Sequence, residues 1–291
     1  PTAKKITLIF VCACGIAVRM IAPFVQDKRT DPAVLVLDDC GSFVIPLLSG
    51  HLGGANALAR LLAQKIGAQA VITTATDIGG QFSPDSFAAA NGLLIADMHA
   101  AKEIAAAVLQ GETIGLRSDF PCVHIPPELT EADTPRCGIV IAREIMKMPF
   151  AVTLHLIPRN IVVGIGCKKG ASAPQIENTV QQAFQAHGIR QDRICCAASI
   201  DLKAQEQGLL TFCAQHELPL HTYSAAELMH VTGDFAPSDF VLRTTGADNV
   251  CERSAVLCSG GKLILNKIAE NGVTVAAAEM PIEIDFERKM L

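Results

Sequence analysis

The sequence predicts an α/β protein: two βα-rich domains with mainly parallel sheets, joined by a Pro-rich, partly β connecting segment. Three observations carry this. Half of the 291 residues are hydrophobic, with no Trp, one Tyr and 12 Phe, so the apolar fraction is aliphatic, as buried parallel strands covered by helices require. Short apolar runs alternate with helical periodicity, which is the pattern of βα units. That rhythm breaks once, between Arg117 and Arg159, where Pro121, Pro126, Pro127, Pro135, Pro149 and Pro158 punctuate the chain. The expected organisation is an N-terminal domain over 1–117, a connecting segment over 118–159 and a C-terminal domain over 160–291.

The elements follow in order. Ile6–Cys12 is a strand candidate, followed by a helical pattern through Phe24. Ala33–Leu37 and Ser42–Leu47 flank Asp38-Asp39-Cys40-Gly41 and form a hairpin. Gly54–Ile66 is an amphipathic helix with Leu58, Leu61, Leu62 and Ile66 on one face. Ala70–Thr73 is the next strand and Lys102–Leu109 a later helix. In the connecting segment Gly138–Ala142 and Val152–Ile157 are strand-like. The rhythm resumes with the strand Ile161–Ile165. Ser172 and Gln175 make a capping box opening a helix to about His187. Ile194–Ile200 is a strand, Asp201 an N-cap candidate and Leu209–His216 helical. Ala247–Cys258 supplies a last helix, and Lys262–Leu265 and Val273–Ala277 two strands.

Composition excludes several classes of function. Only 18% of residues are charged and mean hydropathy is +0.34, which rules out intrinsic disorder. A net charge of −5 argues against nucleic acid or an anionic membrane as partner, so anionic ligands must be held by local devices. The run Ile6–Val18 is followed at once by Arg19, Asp27, Lys28 and Arg29, so it reads as a buried strand entering a Gly turn rather than a signal peptide. No stretch is long enough to span a bilayer without charge or turn residues. Eleven cysteines, scattered and odd in number, indicate a reducing, cytoplasmic compartment. The pairs Cys12/Cys14 and Cys195/Cys196 have none of the usual zinc spacings, so these cysteines read as small buried hydrophobes and no metal is expected.

Five polar or Gly-rich clusters fall at predicted strand ends, where open α/β sheets bind ligands. Gly15 opens a helix whose Arg19 can hold a carboxylate through two parallel bonds; the same pattern also serves as a plain turn with a surface Arg. The stretch Ser49-Gly50-His51-Leu52-Gly53-Gly54-Ala55-Asn56 offers helix-start N–H groups to a carboxylate or oxyanion, and His51 titrates near neutrality as an acid or base. A Gly-rich turn capped by Ser49 or Asn56 is the purely structural alternative. Thr73, Thr74, Thr76 and Asp77 provide hydroxyls and a carboxylate after a strand, or a capped turn. Gly164-Ile165-Gly166-Cys167-Lys168-Lys169-Gly170 is one residue too long for a dinucleotide fingerprint and lacks the Gly-Lys-Ser/Thr of a P-loop. It reads as an anion cradle. Ser199–Lys203 ends a strand, with Asp201 and Lys203 beyond it. There is no HExxH or GxSxG motif. These residues alone describe an enzyme-like α/β protein with several anion-friendly loops.

The same segments resemble the CbiG family. Gly15–Arg19 with Ile21-Ala22-Pro23, Asp27–Val34, Leu47–Asn56 and Val71–Asp77 are similar to its N-terminal domain. Val163–Cys167, Ser199–Lys203 and Val273–Ala276 are similar to its C-terminal domain, which has a stand-alone relative in the aerobic pathway. The resemblance implies cobalt-precorrin-5A hydrolysis in oxygen-independent cobalamin synthesis. The δ-lactone is opened, and C-20 leaves with its methyl as acetaldehyde to give cobalt-precorrin-5B. It also implies a cobalt-corrinoid substrate, with neighbouring pathway enzymes as partners, and no protein-bound cofactor, because cobalt is carried in the substrate. On this reading His51, Asp77 and Asp201 are the candidate catalytic groups. The candidate substrate-binding residues are Gly15, Arg19, Ser49, Gly50, Gly53, Gly54, Asn56, Thr74, Thr76, Gly164, Gly166, Lys168 and Lys203. A non-catalytic tetrapyrrole carrier is the alternative. The family pattern includes a further βα segment ahead of the Gly15 motif, where this sequence opens almost on that strand, and an acidic pattern from which Gly79–Phe87 departs.

Overall fold

The computed structural model describes residues 6–27, 30–50, 53–73, 82–145 and 148–288. The chain divides into two compact units, one formed by Arg159–Ile282 and the other by Lys5–Pro158 with Glu283–Leu291.

In the N-terminal unit β1 (Thr7–Val11) is followed by α1 (Cys14–Ile21), and the hairpin strands are β2 (Ala33–Leu37) and β3 (Phe43–Leu48). The sheet order is β1-β2-β3-β4, with β4 only Gln69–Ala70 rather than the longer strand expected. β1 and β2 run parallel, β2 and β3 antiparallel, and β3 and β4 parallel. The helix α2 (Ala55–Ile66) is laid on this sheet by its small face: Ala55, Ala59 and Ala63 are buried with Ala33, Leu35 and Val44. Leu61 and Ile66, read from the sequence as part of the apolar face, are exposed. Alanine at every turn lets the helix approach the sheet closely, so the helix turned its short side chains inward.

A second sheet follows in the same unit. Its elements are α3 (Pro84–Ala90), β5 (Leu93–Ile95), α4 (Met98–Leu109), β6 (Ile114–Ser118), β7 (Cys122–Val123), β8 (Leu129–Thr130), β9 (Cys137–Ile141) and β10 (Val152–Pro158). The order β5-β10-β9-β6-β8 makes β9 and β10, from the expected connecting segment, the centre of the sheet. The prolines lie in the turns ahead of β7, β8, β9 and β10 and at the end of β10. Those are positions where no ladder N–H is lost, so they mark strand ends rather than a linker.

The C-terminal unit is built on β11 (Ile161–Cys167), α5 (Ala173–Ala186), β12 (Ile194–Ile200), α6 (Gln207–Gln215), β13 (Leu220–Tyr223), α7 (Ala225–His230), α8 (Asp239–Thr245), α9 (Cys251–Ser259), β14 (Lys262–Glu270) and β15 (Val273–Glu279). β11, β12 and β13 are parallel, and the hairpin β14–β15 joins antiparallel on the other side of β11. The capping box at Ser172 and Gln175 forms as expected. Ile176, Val180 and Phe184 of α5 and Leu209 and Phe212 of α6 bury one sheet face with Ile161, Val163 and Ile165. On the other face Val162, Cys196 and Ala198 pack with Cys258 of α9. Helices therefore cover both faces of a mixed sheet. A last strand, β16 (Ile284–Asp285), leaves this unit and pairs with β7, and Asn91 exchanges two hydrogen bonds with the Asp285 backbone. The C-terminal segment so belongs to the N-terminal unit, beyond the boundary at 160–291. Among the described residues no helix is long and apolar enough to cross a membrane.

Candidate functional site

The predicted site residues fall into three places, two of them in the N-terminal unit. Gly15 begins α1 just past the carboxyl end of β1, and Arg19 turns back so that its Nη1 lies 3.5 Å from the Gly15 carbonyl. Both are exposed, and Arg19 pairs with no carboxylate among the described residues.

The Ser49–Asn56 turn lies at the opposite edge of the sheet. Because β3 runs antiparallel to β2, Leu48 is opposite Val34, near the start of β2, whereas Val11 of β1 is opposite Leu37 at its end. The five residues of β2, four steps of about 3.3 Å each, separate the two edges by roughly 13 Å. The structure therefore brings Gly15 and Arg19 together but does not join them to the Ser49 turn. Sequence reading placed both at carboxyl strand ends, and the antiparallel partner reverses which edge that is.

Within the turn, Ser49 has φ +56° and donates its Oγ proton to the Asp31 carbonyl at 2.8 Å. Gly53 has no room for a side chain: a Cβ there would meet Ser49 Cβ at 2.2 Å. Gly50 lies against the amide of Asn56, which is buried, and Gly54 is the N-cap residue of α2. The N–H groups of Ala55 and Asn56 donate to the carbonyls of Ser49 and Gly50 at 3.1 and 2.9 Å. Two of the helix-start donors expected for an oxyanion are thus used by the turn itself. His51, Thr74, Thr76 and Asp77 lie outside the described residues.

The third place is a cleft of about 490 Å³ in the C-terminal unit. It sits beyond the carboxyl ends of the parallel strands β11 and β12, where a mixed α/β sheet leaves room for a ligand. Gly166, Lys168 and Lys203 line it, as do residues that sequence reading missed: Val241 and Thr244 of α8, Asp248 and Asn249 ahead of α9, Lys267 of β14 and Thr274 of β15. The antiparallel hairpin reaches the same edge because Val273 pairs with Cys167. A Lys and a Thr on an antiparallel hairpin carry no motif, so only the register could reveal them.

Gly164 does not belong to the cradle. A Cβ on it would lie 1.8 Å from the Cys251 carbonyl oxygen, so this glycine exists to let α9 touch the sheet. Asp201 was expected to cap a helix; instead it opens a short 3-10 turn, Asp201–Lys203, without a side-chain cap bond, and it does not line the cleft.

The cleft's charges divide into held and unheld groups. Lys203 Nζ lies 3.0 Å from Glu206 Oε2 and both side chains are mostly buried. Glu206 also accepts from the Gly170 N–H at 2.9 Å. The Lys203 ammonium, and next to it the Gly170 N–H, hold the Glu206 carboxyl below its ordinary range against partial desolvation. Lys168 is exposed and pairs with no carboxylate among the described residues. Among the described residues Lys267 Nζ donates only to the Ala236 carbonyl, at 2.8 Å, while its backbone N–H donates to buried Glu252. Glu252 in turn accepts from the Ala236 N–H and from the Asn249 amide, so the loop ahead of α9 is built around one carboxylate. Asp248 forms two bonds with Arg253, at 2.7 and 3.0 Å, which hold its carboxyl below the usual range. Phe240, 70% exposed, stands at the rim. The arrangement offers apolar surface flanked by the ammonium groups of Lys168, Lys203 and Lys267 and by the carboxylates of Asp248 and Glu270.

The Cobalamin synthesis G N-terminal model matches residues 2–77, and the Cobalamin synthesis G C-terminus model matches residues 161–278. The chain is 33% identical over 286 residues to the cobalt-precorrin-5A hydrolase of Salmonella typhimurium, covering 92% of this chain and 80% of that one. It is 32% identical over 296 residues to the cobalt-precorrin-5A hydrolase of Priestia megaterium, covering 95% and 79%. A solved structure of a cobalamin biosynthesis protein G homolog from Sulfolobus solfataricus is 26% identical, covers 94% of this chain and 82% of that one, and gives a TM-score of 0.39. The two matched domains and the identity over most of both chains place this chain in the CbiG family of cobalt-precorrin-5A hydrolases.

Proposed function

We infer that the chain hydrolyses cobalt-precorrin-5A to cobalt-precorrin-5B and acetaldehyde. Family membership identifies the reaction, and the structural observation that supports it is the C-terminal cleft, with apolar surface between Lys168, Lys267 and the Lys203–Glu206 pair. A corrinoid presents apolar ring faces and peripheral carboxylates, so it needs this combination on a protein whose net charge is −5.

Water must add to the lactone carbonyl, and the tetrahedral oxyanion must collapse with loss of the ring alkoxide. The freed alkoxide becomes the aldehyde carbonyl of acetaldehyde as the bond from C-20 to the macrocycle breaks. The electron pair of that bond delocalises into the ring system. Cobalt arrives within the substrate, so these steps call on no cofactor of the protein. We assign proton removal from water to His51, with Asp77 and Asp201 as the alternatives. Carboxylate binding is assigned to Arg19 and Lys168. Eleven cysteines without a disulfide support placement in the cytoplasm, where neighbouring pathway enzymes would hand on the substrate.

Incubation of the chain with cobalt-precorrin-5A tests this reading directly. Stoichiometric acetaldehyde with loss of the lactone is expected. Tight corrinoid binding without acetaldehyde would instead make the chain a carrier.

A further inference from the structure

One cluster of side chains lies apart from the cleft and takes no part in the chemistry above. Cys196 on β12, His221 on β13 and Cys258 on α9 present their sulfur and ring nitrogen atoms within 4.8 Å of one another. The register explains the meeting. Ala198 is opposite His221 in the parallel pair β12–β13, so His221 shares a sheet face with Cys196, two residues before Ala198. The helix α9 lies on that face and lowers Cys258 onto it. We propose that Cys196, Cys258 and His221 form a site for a tetrahedral, thiolate-preferring divalent cation, of which Zn²⁺ is the type.

The spacing favours a metal over a disulfide. Cys196 Sγ and Cys258 Sγ are 3.7 Å apart. With Zn–S bonds of about 2.3 Å, two thiolates on one tetrahedral zinc lie about 3.8 Å apart. A disulfide would need the sulfurs to close to about 2.05 Å. The chemistry of the donors agrees. Two cysteine sulfurs and one imidazole nitrogen within 4.8 Å of one another are a donor set that zinc takes. The proton that Cys196 shares with Cys258 is the one a cation would displace, since metal ligation releases protons from thiols. Cys196 is buried, Cys258 is partly buried and His221 is exposed, so an ion can enter from the His221 side. Three protein ligands leave the fourth tetrahedral position to water. Positions 196, 221 and 258 come from three separate elements, and no sequence spacing announces them. Such a cation would pin the edge strand β13 to α9, and its presence is independent of the corrinoid reaction.

The test is a titration of the reduced, metal-free full chain with Co²⁺ under anaerobic conditions. One equivalent is expected to bind with a thiolate-to-cobalt charge-transfer band, and Zn²⁺ should displace it. Cys258→Ser should abolish the band. His221→Gln replaces an exposed side chain and so leaves folding undisturbed; it should raise the Co²⁺ dissociation constant by at least about 10–100-fold, the range even for outer groups of metal sites. Cys122→Ser, in the other unit, should change nothing. The proposal is overturned if the band is absent, if it survives in Cys258→Ser, or if His221→Gln binds Co²⁺ as tightly as the parent. It is also overturned if air closes a Cys196–Cys258 disulfide as fast with Zn²⁺ present as without.

Discussion

Lys203 and Glu206 form a mostly buried ion pair on the floor of the C-terminal cleft, with Nζ and Oε2 3.0 Å apart. The same carboxylate receives the Gly170 N–H, so one acid ties the loop after β12 to the loop after β11. A lysine that the sequence offers as a ligand for substrate is therefore first a structural cation.

Glu206→Gln should cost about 1.5–3 kcal/mol of stability, the range for a hydrogen bond to a charged group. The pH dependence has a definite sign. A carboxyl held low in the folded state contributes fully above its unfolded value, about 4.3, and that contribution disappears as pH falls through the lower folded value. Denaturant midpoints measured from pH 6 down to pH 3 should fall more steeply for the parent than for Glu206→Gln. Parallel curves would mean that the pair contributes nothing to folding.

Much of this fold was readable from the sequence, and the failures have physical causes. The hairpin β2–β3, the capping box at Ser172 and the strands β11, β12 and β15 follow from periodicity and turn chemistry, which are local. What required the structure was pairing between distant segments. β9 and β10 were legible as strands, but the Pro-rich stretch hid their place in the middle of a sheet, because prolines at strand ends resemble prolines in a linker. The antiparallel course of β3 moved Ser49 away from Arg19, although both follow apolar runs. Gly164 resembles a ligand-cradling glycine in sequence, yet its demand comes from the Cys251 carbonyl, far along the chain. In the site, Gly166, Lys168 and Lys203 were legible as loop residues after strands, whereas Lys267 and Thr274 were not.

Lys168→Ala separates binding from folding. Its ammonium is exposed and makes no ion pair among the described residues, so the melting temperature should stay within about 1–2 °C, as for a typical surface substitution. Loss of one charge-assisted bond to a substrate carboxylate should weaken corrinoid binding by about 1.5–3 kcal/mol, roughly 10–150-fold. Lys203→Ala should show the converse, a loss of stability that exceeds its effect on affinity. Titration of both variants with cobalt-precorrin-5B, followed by corrinoid absorbance, decides between them. Arg19→Ala belongs in the same series, with the same expected loss if Arg19 also holds a carboxylate.

His51→Ala should slow acetaldehyde release by about 10²–10⁴-fold, the usual contribution of general acid–base assistance. His51→Asn retains a polar group of similar reach but accepts no proton, and should be nearly as slow. Affinity for cobalt-precorrin-5B should change little in either variant. Near-parental turnover would pass the role to Asp77 or Asp201, to be tested by their Asn substitutions.

Arg253 holds the wall of the cleft in place, and its replacement should couple stability to substrate affinity. Its guanidinium makes two parallel bonds to Asp248 at 2.7 and 3.0 Å and donates to the Val231 carbonyl at 2.6 Å. It also stacks 4.7 Å from the centre of the Phe235 ring. The chain between Val231 and Asp248 is thereby clamped at both ends, and α8, which lines the cleft, lies within that stretch. Arg253→Ala removes these contacts, and a further bond to the Leu228 carbonyl at 3.3 Å, and leaves the Asp248 carboxylate without its partner, so a loss of at least about 1.5–3 kcal/mol is expected. Arg253→Lys keeps the charge but loses the two-pronged geometry and the stacking, and should recover only part of that loss. Hydrogen exchange should show the backbone amides of α8 losing protection in both variants, with α5 and α6 on the opposite sheet face unaffected. Corrinoid affinity should fall in the same order as α8 protection, Ala more than Lys. Affinity that stays at the parental value while α8 exchanges freely would show that α8 does not touch the substrate.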